Sequence, residues 1–248
     1  MTIISANLQA SLCSTVQENL DAVRVRIANA AIAAGRDPRS VQLLAVSKTW
    51  PAAAVRAAAM AGQRAFGESY VQEAIAKMGD LAARMPPQSP GLDLEWHFIG
   101  PLQSNKTQAV AEHFAWVHAV DREKIAARLS SQRPAALPKL QICLQVNISG
   151  EQSKSGVAPA DAARLARAVA QMPRLELRGL MAIPAPAADM QVARRPFARL
   201  RELLLRLNSE GMKLDTLSMG MSDDLEAAIA EGATIVRVGT AIFGERKG

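Results

Sequence analysis

Val41-Gln42-Leu43-Leu44-Ala45-Val46-Ser47-Lys48-Thr49-Trp50-Pro51 is the stretch that decides the fold. Five of its first six residues are apolar, the pattern of a strand buried on both faces. The run breaks off in Ser-Lys-Thr, and Pro51 opens an Ala-rich helix over 51–61 that Gly62 ends. Lys48 therefore stands where a buried strand hands over to a helix. A partly desolvated amine at such a point can lose its proton and attack a carbonyl to form a Schiff base. The alternative is a lysine that is merely the first solvated residue past the strand.

Working outward, the same beat repeats. Upstream, Leu8, Leu12, Val16, Leu20, Val23, Ile27 and Ile32 fall at helical spacing over 7–34, and Gly35 and Pro38 stop that helix. Downstream, strands are expected at 63–67, 94–100, 115–119, 139–148, 175–183, 214–219 and 235–238. Between them lie helices over 68–85, 101–112, 121–131, 159–171 and 189–209, the last with Pro196 inside it, and one between Ser222 and Gly232. Asp121 and Ser222 read as caps, and the 86–91 Pro/Ser segment as a loop. Eight short strands alternating with helices in 248 residues predict a single (β/α)8 TIM barrel over 41–244 with an extra N-terminal helix and lead-in over 1–40. A doubly wound open sheet is the alternative, but no Gly-x-Gly-x-x-Gly follows the first strand. After the eighth strand no further helix is expected, so the N-terminal helix is expected to cover the gap.

Composition narrows the function. The chain is 49% hydrophobic, 21% charged and 4% aromatic, which supports a core built from aliphatic residues. No apolar run is long enough to span a bilayer and no secretory signal stands at the start, so a cytoplasmic location is expected. Cys13 and Cys143 have neither metal nor disulfide spacing. The net charge of +6 comes largely from helical arginines such as Arg194, Arg195, Arg199, Arg201 and Arg206, read as a solvated basic face. Without a basic block interleaved with aromatics, nucleic acid is not the expected partner; an anionic small molecule suits the field.

In a barrel of this kind, ligands bind at the C-terminal ends of the strands. Gly239-Thr240 can bring backbone N–H groups and a hydroxyl close to a phosphate, or form a plain turn. Ser218 and Ser222 are two hydroxyl candidates, with Ser218 favoured because Asp223 and Asp224 would repel an anion near Ser222. Arg237 sits inside an apolar strand and needs an acceptor, either a structural acid such as Glu68 or a ring nitrogen of a cofactor. His97 reads as a hydrogen-bonded core histidine, and Met181 and Met219 as packing.

Six segments together resemble one family. They are Leu-Leu-Ala-Val-Ser-Lys-Thr at 43–49, Phe-Gly-Glu at 66–68 with Val-Gln-Glu at 71–73, Trp-His-Phe-Ile-Gly-Pro-Leu-Gln-Ser-Asn-Lys at 96–106, Arg-Gly-Leu-Met-Ala-Ile-Pro at 178–184, Leu-Ser-Met-Gly-Met-Ser-Asp-Asp at 217–224 and Val-Arg-Val-Gly-Thr-Ala-Ile-Phe-Gly at 236–244. The family is the pyridoxal phosphate homeostasis proteins, related to the barrel domain of alanine racemase. The resemblance implies a type III PLP-binding fold with pyridoxal 5′-phosphate (PLP) as a Schiff base on Lys48 and Arg237 facing the pyridine nitrogen. It implies phosphate contacts from Ser218, Gly239 and Thr240, with Gly220 and Ser222 nearby and Met181 among the cofactor-lining residues. The family usually has Asn after Phe-Gly-Glu, where this chain has Ser69, a shorter polar group. Arginine at the ring nitrogen disfavours its protonation and so weakens the ring as an electron sink. Racemases of this fold also take a tyrosine from a second domain, and Tyr70, the sole tyrosine, is not an obvious replacement. A PLP carrier without amino-acid turnover is therefore expected, monomeric, with apo PLP-dependent enzymes as candidate acceptors. The alternatives are a racemase-like PLP enzyme and a sugar-phosphate barrel without PLP.

Overall fold

The computed structural model of the chain describes residues 2–84, 93–151, 154–187 and 189–245. Helix α1 (Thr2–Ala33) leads through a short 3-10 turn into β1 (Gln42–Val46), α2 (Ala52–Met60), β2 (Ala65–Glu68) and α3 (Val71–Arg84). Next come β3 (Glu95–Phe98), α4 (Thr107–His113), β4 (Trp116–Val120), α5 (Glu123–Gln132), β5 (Leu140–Gln145) and α6 (Ala162–Ala170). The chain ends through β6 (Leu175–Met181), α7 (Met190–Ser209), β7 (Thr216–Ser218), α8 (Leu225–Ala230), β8 (Ile235–Val238) and α9 (Thr240–Phe243). The strands pair in parallel in chain order, and β8 closes on β1 with Leu44 opposite Arg237. This is the expected eight-stranded barrel with its added helix.

Strand alternation sorts the side chains into two cores. Leu20, Phe66, Phe98, Ile125 and Leu200 fill the layer between sheet and helices. Leu44, Ala65 and Ile235 form one cluster apart from that layer, and Trp116, Ala119, Cys143 and Met181 another. At one crossing the strands touch by backbone: a Cβ on Gly179 would lie 1.8 Å from the Thr216 carbonyl oxygen, so β6 and β7 meet this closely only with glycine there.

Several local expectations differ from the structure. β2 runs through Glu68, and α3 begins only at Val71, because the Glu68 carboxylate is buried and bonded beside β1. Asp121 pairs with Arg122 (2.7 Å) and does not cap α5, whose N-cap is Arg122 without a side-chain bond. Ser222 does not cap α8 either; Asp224 stands at that N-cap, and its carboxylate accepts from the Met221 N–H at 2.6 Å. α7 continues through Pro196 as one helix. The residues after β8 do form a short helix, α9, because Gly239 O accepts from both Ile242 and Phe243. α1 nonetheless packs across that seam, with Asn19 Nδ2 donating to Ile242 O at 2.9 Å. The expected helix end at Met85 and the 86–91 loop lie outside the described residues.

Candidate functional site

A cavity of about 200 Å³ opens at the C-terminal mouth of the barrel. Lys48, Ser69, Ser222, Arg237, Gly239 and Thr240 line it, with Trp50, Ile99 and Ile183 as apolar wall. It continues into a groove of about 600 Å³ that shares Lys48, Ser69, Ile99 and Ile183 and reaches Tyr70, Lys106 and Arg122. The ends of β1, β2, β7 and β8 thus bring together six of the nine residues singled out in the sequence.

The other three are placed differently. Ser218, the favoured phosphate ligand, is fully buried with its hydroxyl engaged between Arg237 and His118, and it is Ser222 that lines the cavity. Met181 is fully buried in the cluster with Trp116 and Cys143. Gly220 is buried at φ +92°, where a Cβ would come within 2.6 Å of the Ala228 Cβ; its role is to let the chain turn. Ser222 Oγ instead accepts from the Ala241 N–H at 3.4 Å, which holds it against the start of α9. Asp223 lines the cavity, while the Asp224 carboxyl is turned onto Met221 and burial holds its pKa above the usual range.

The Lys48 backbone is tied on both sides by α3. Lys77 Nζ donates to the carbonyl of Ser47 at 2.8 Å, and Glu73 accepts from the N–H of Thr49 at 2.6 Å. Thr49 takes a left-handed backbone (φ 68°), the one non-glycine among the described residues to do so, which turns the chain sharply after Lys48. Beneath the turn, Glu68 Oε1 accepts from Lys77 Nζ (2.5 Å) and from Ser47 Oγ (2.6 Å). Both charged side chains are buried, and desolvation raises the Glu68 pKa against the pull of Lys77. Glu68 is therefore not the acceptor of Arg237. Lys77 escaped the sequence reading, although its place between Ala74 and Leu81 on the buried stripe of α3 marks it as a lysine facing inward.

Arg237 is buried, and its guanidinium donates to Ser218 Oγ (2.8 Å) and to the carbonyl of Ala182 (2.9 Å). Burial draws its pKa down to about 10, so it stays a cation at neutral pH. His97 is the hydrogen-bonded core histidine expected; its partners are His118 and Glu95. Cys143, also inside the barrel, has its thiol pushed up to about 12 by burial. Of the helical arginines read as a solvated face, Arg194 and Arg201 instead converge on the buried carboxylate of Glu231.

The family model for the N-terminal domain of alanine racemase matches residues 19–247. The pyridoxal phosphate homeostasis protein of Pseudomonas aeruginosa is 64% identical over 94% of this chain and 96% of its own. That of Escherichia coli K12 is 53% identical over 93% and 97%. Among solved structures, PipY of Synechococcus elongatus with PLP bound superposes with a TM-score of 0.78 at 39% identity, over 92% of this chain and 100% of its own. Alanine racemase from Corynebacterium glutamicum, at 18% identity and a TM-score of 0.65, shares the fold over 92% of this chain and 62% of its own. Matched along nearly its whole length, the chain belongs to the pyridoxal phosphate homeostasis protein family, within the family of the alanine racemase N-terminal domain.

Proposed function

We propose that the chain binds PLP at the barrel mouth, with Lys48 as its covalent Schiff-base anchor, and serves intracellular PLP homeostasis without turning over amino acids. The observation that carries this reading is that Lys48, Arg237 and Gly239-Thr240 line one cavity. The donor set fits the group: a primary amine for an aldehyde, a fixed cation for a ring nitrogen, and hydroxyls with a glycine-opened turn for a phosphate. When bound, PLP supplies an aldehyde that condenses with amines and a ring that can accept electron density.

The chain's own residues do the rest. Lys77 and Glu73 hold the turn that carries Lys48 in place. Arg237 can only donate, so it leaves an acceptor nitrogen unprotonated and keeps a second positive charge away from it. Ser222, Gly239 and Thr240 supply the anion contacts, and Ser69 offers a hydroxyl on the opposite wall. Among the described residues lining the inner cavity Asp223 is the one carboxylate, and Tyr70 stands in the adjoining groove, not in the cavity lining. That composition favours holding and releasing the cofactor over stereochemical turnover. We further propose a single-domain cytoplasmic monomer that exchanges PLP with apo PLP-dependent enzymes through the groove beside the cavity.

The test is an absorbance spectrum of purified protein before and after borohydride, with Lys48→Ala in parallel. A visible band that borohydride bleaches while leaving the cofactor covalently attached, and that the variant lacks, is the expected result. A protein that stays colourless with added PLP would overturn the proposal.

A further inference from the structure

A file of polar side chains crosses the inside of the barrel. Arg237 Nη1 donates to Ser218 Oγ (2.8 Å), Ser218 Oγ lies 2.7 Å from His118 Nδ1, His118 Nε2 lies 2.9 Å from His97 Nδ1, and His97 Nε2 lies 2.8 Å from Glu95 Oε1. Glu95 opens β3 at the N-terminal end of the barrel, half exposed, in a groove with Arg133 and Arg178. Arg237 closes the file at the opposite mouth. β3, β4, β7 and β8 each contribute, and His97, His118 and Ser218 are fully buried.

The two ends fix every hydrogen between them. Burial holds both imidazoles below their ordinary pKa, and the Arg237 cation adds to this at His118, so both rings are neutral. A carboxylate only accepts, which puts the His97 proton on Nε2 and leaves Nδ1 an acceptor. His118 must then carry its proton on Nε2, so its Nδ1 accepts from the Ser218 hydroxyl. The Ser218 oxygen in turn accepts from the guanidinium, which has nothing but donors. All four hydrogen bonds point from the cation to the anion. A ring flip or tautomer change at any one member would set two donors or two acceptors face to face, each a costly buried mismatch.

We propose that Ser218, His118, His97 and Glu95 are positioning residues that form a one-way hydrogen-bond relay, anchoring the Arg237 guanidinium against the cofactor ring and tying it to a carboxylate at the far end of the barrel. The inference rests on the PLP reading for its purpose, though not for its geometry. Charged and titratable neighbours of the relay are few. Asp224 and Cys143 act on Arg237, and Arg178 lies over Trp116 (5.1 Å), which stacks on His97 (5.4 Å).

Two measurements test it. In cofactor-free protein labelled with 15N-histidine, long-range 1H–15N spectra at neutral pH should show His97 and His118 both neutral with the proton on Nε2. A charged ring, or a proton on Nδ1 of either, would overturn the relay whether or not PLP binds. In PLP-loaded protein, Ser218→Ala and His118→Phe should move the pH midpoint of the visible band by a unit or more, and Ser218→Thr, which keeps the hydroxyl, should restore it. A midpoint the same in Ser218→Ala as in the unaltered protein would show that the relay does not reach the cofactor. Failure to bind PLP at all would count against the proposed function and leave the tautomer result to decide the relay.

Discussion

Lys77 puts a second cation within the shell of residues that supports Lys48, where it is bonded to Ser47 O, Glu68 and Glu73. Removing one partner of a buried pair leaves an uncompensated charge, at about 3–5 kcal/mol. Lys77→Met should lower the urea-unfolding free energy by that order and, by freeing the turn, slow PLP capture. The histidines give a pH prediction. In the unfolded chain an imidazole takes up a proton near pH ~6.5, whereas burial lowers the pKa of His97 and takes that of His118 well below the ordinary value, so below that pH the unfolded state binds more protons. Stability should fall as the pH drops through this window, by about 1.4 kcal/mol per pH unit for each histidine. Unfolding midpoints taken at pH 7.5, 6.5 and 5.5 check it, and His118→Asn should halve the slope. At this scale the sequence was only partly legible. Lys48, Arg237 and Gly239-Thr240 stood out because each interrupts or ends an apolar run. The bonding around Arg237 did not, since Ser218 was read as an anion ligand and not as its partner, and His118, which reaches Ser218 from β4 a hundred residues away, is a lone histidine in a strand that carries no mark of what it faces.

Elements were more legible than caps. Apolar runs and glycine or proline stops located every strand, because burial on both faces leaves little else to read. Ser222 and Asp121 misled because an N-cap depends on the path of the preceding loop, which here places Asp224 and Arg122 at the helix starts. α9 was invisible since four residues hold too little periodicity to register. α1 supports two elements of the site at once. Leu20 is fully buried, Asn19 bonds α9, and Arg26 donates to Glu226 (2.8 Å) and to the carbonyl of Ser222 (2.9 Å). Leu20→Ala should cost about 2–5 kcal/mol by leaving a cavity under α1. Arg26→Ala, whose ion pair is more than a third exposed, should cost under about 1 kcal/mol. Denaturation of the two variants side by side checks the contrast, and a small loss of PLP affinity should accompany Arg26→Ala because the Ser222 loop loses its outer tie.

For the whole molecule, the charge balance of +6 acts as a field toward an anionic ligand. Raising the ionic strength from about 0.02 to about 0.3 M shortens the screening length severalfold, so the rate of PLP uptake should fall severalfold while the rate of release changes less. Stopped-flow absorbance measures both. Arg194 and Arg201 are paired on Glu231 and Arg178 on Asp215, carboxylates that the net charge already counts, so the excess is carried by the remaining cations.

Cys143 gives the barrel a built-in clock. Its sulfur sits among Trp116, Ala119 and Met181, out of reach of any reagent while the strands stay closed, and its thiol is almost wholly protonated there. Alkylation or disulfide exchange at this one atom can proceed only in the instants when β5 parts from its neighbours. In a Cys13→Ala background, the labelling rate of Cys143 therefore counts barrel openings directly, without denaturant. Comparing that rate with and without PLP would show whether filling the mouth quiets the breathing of the strands beneath it.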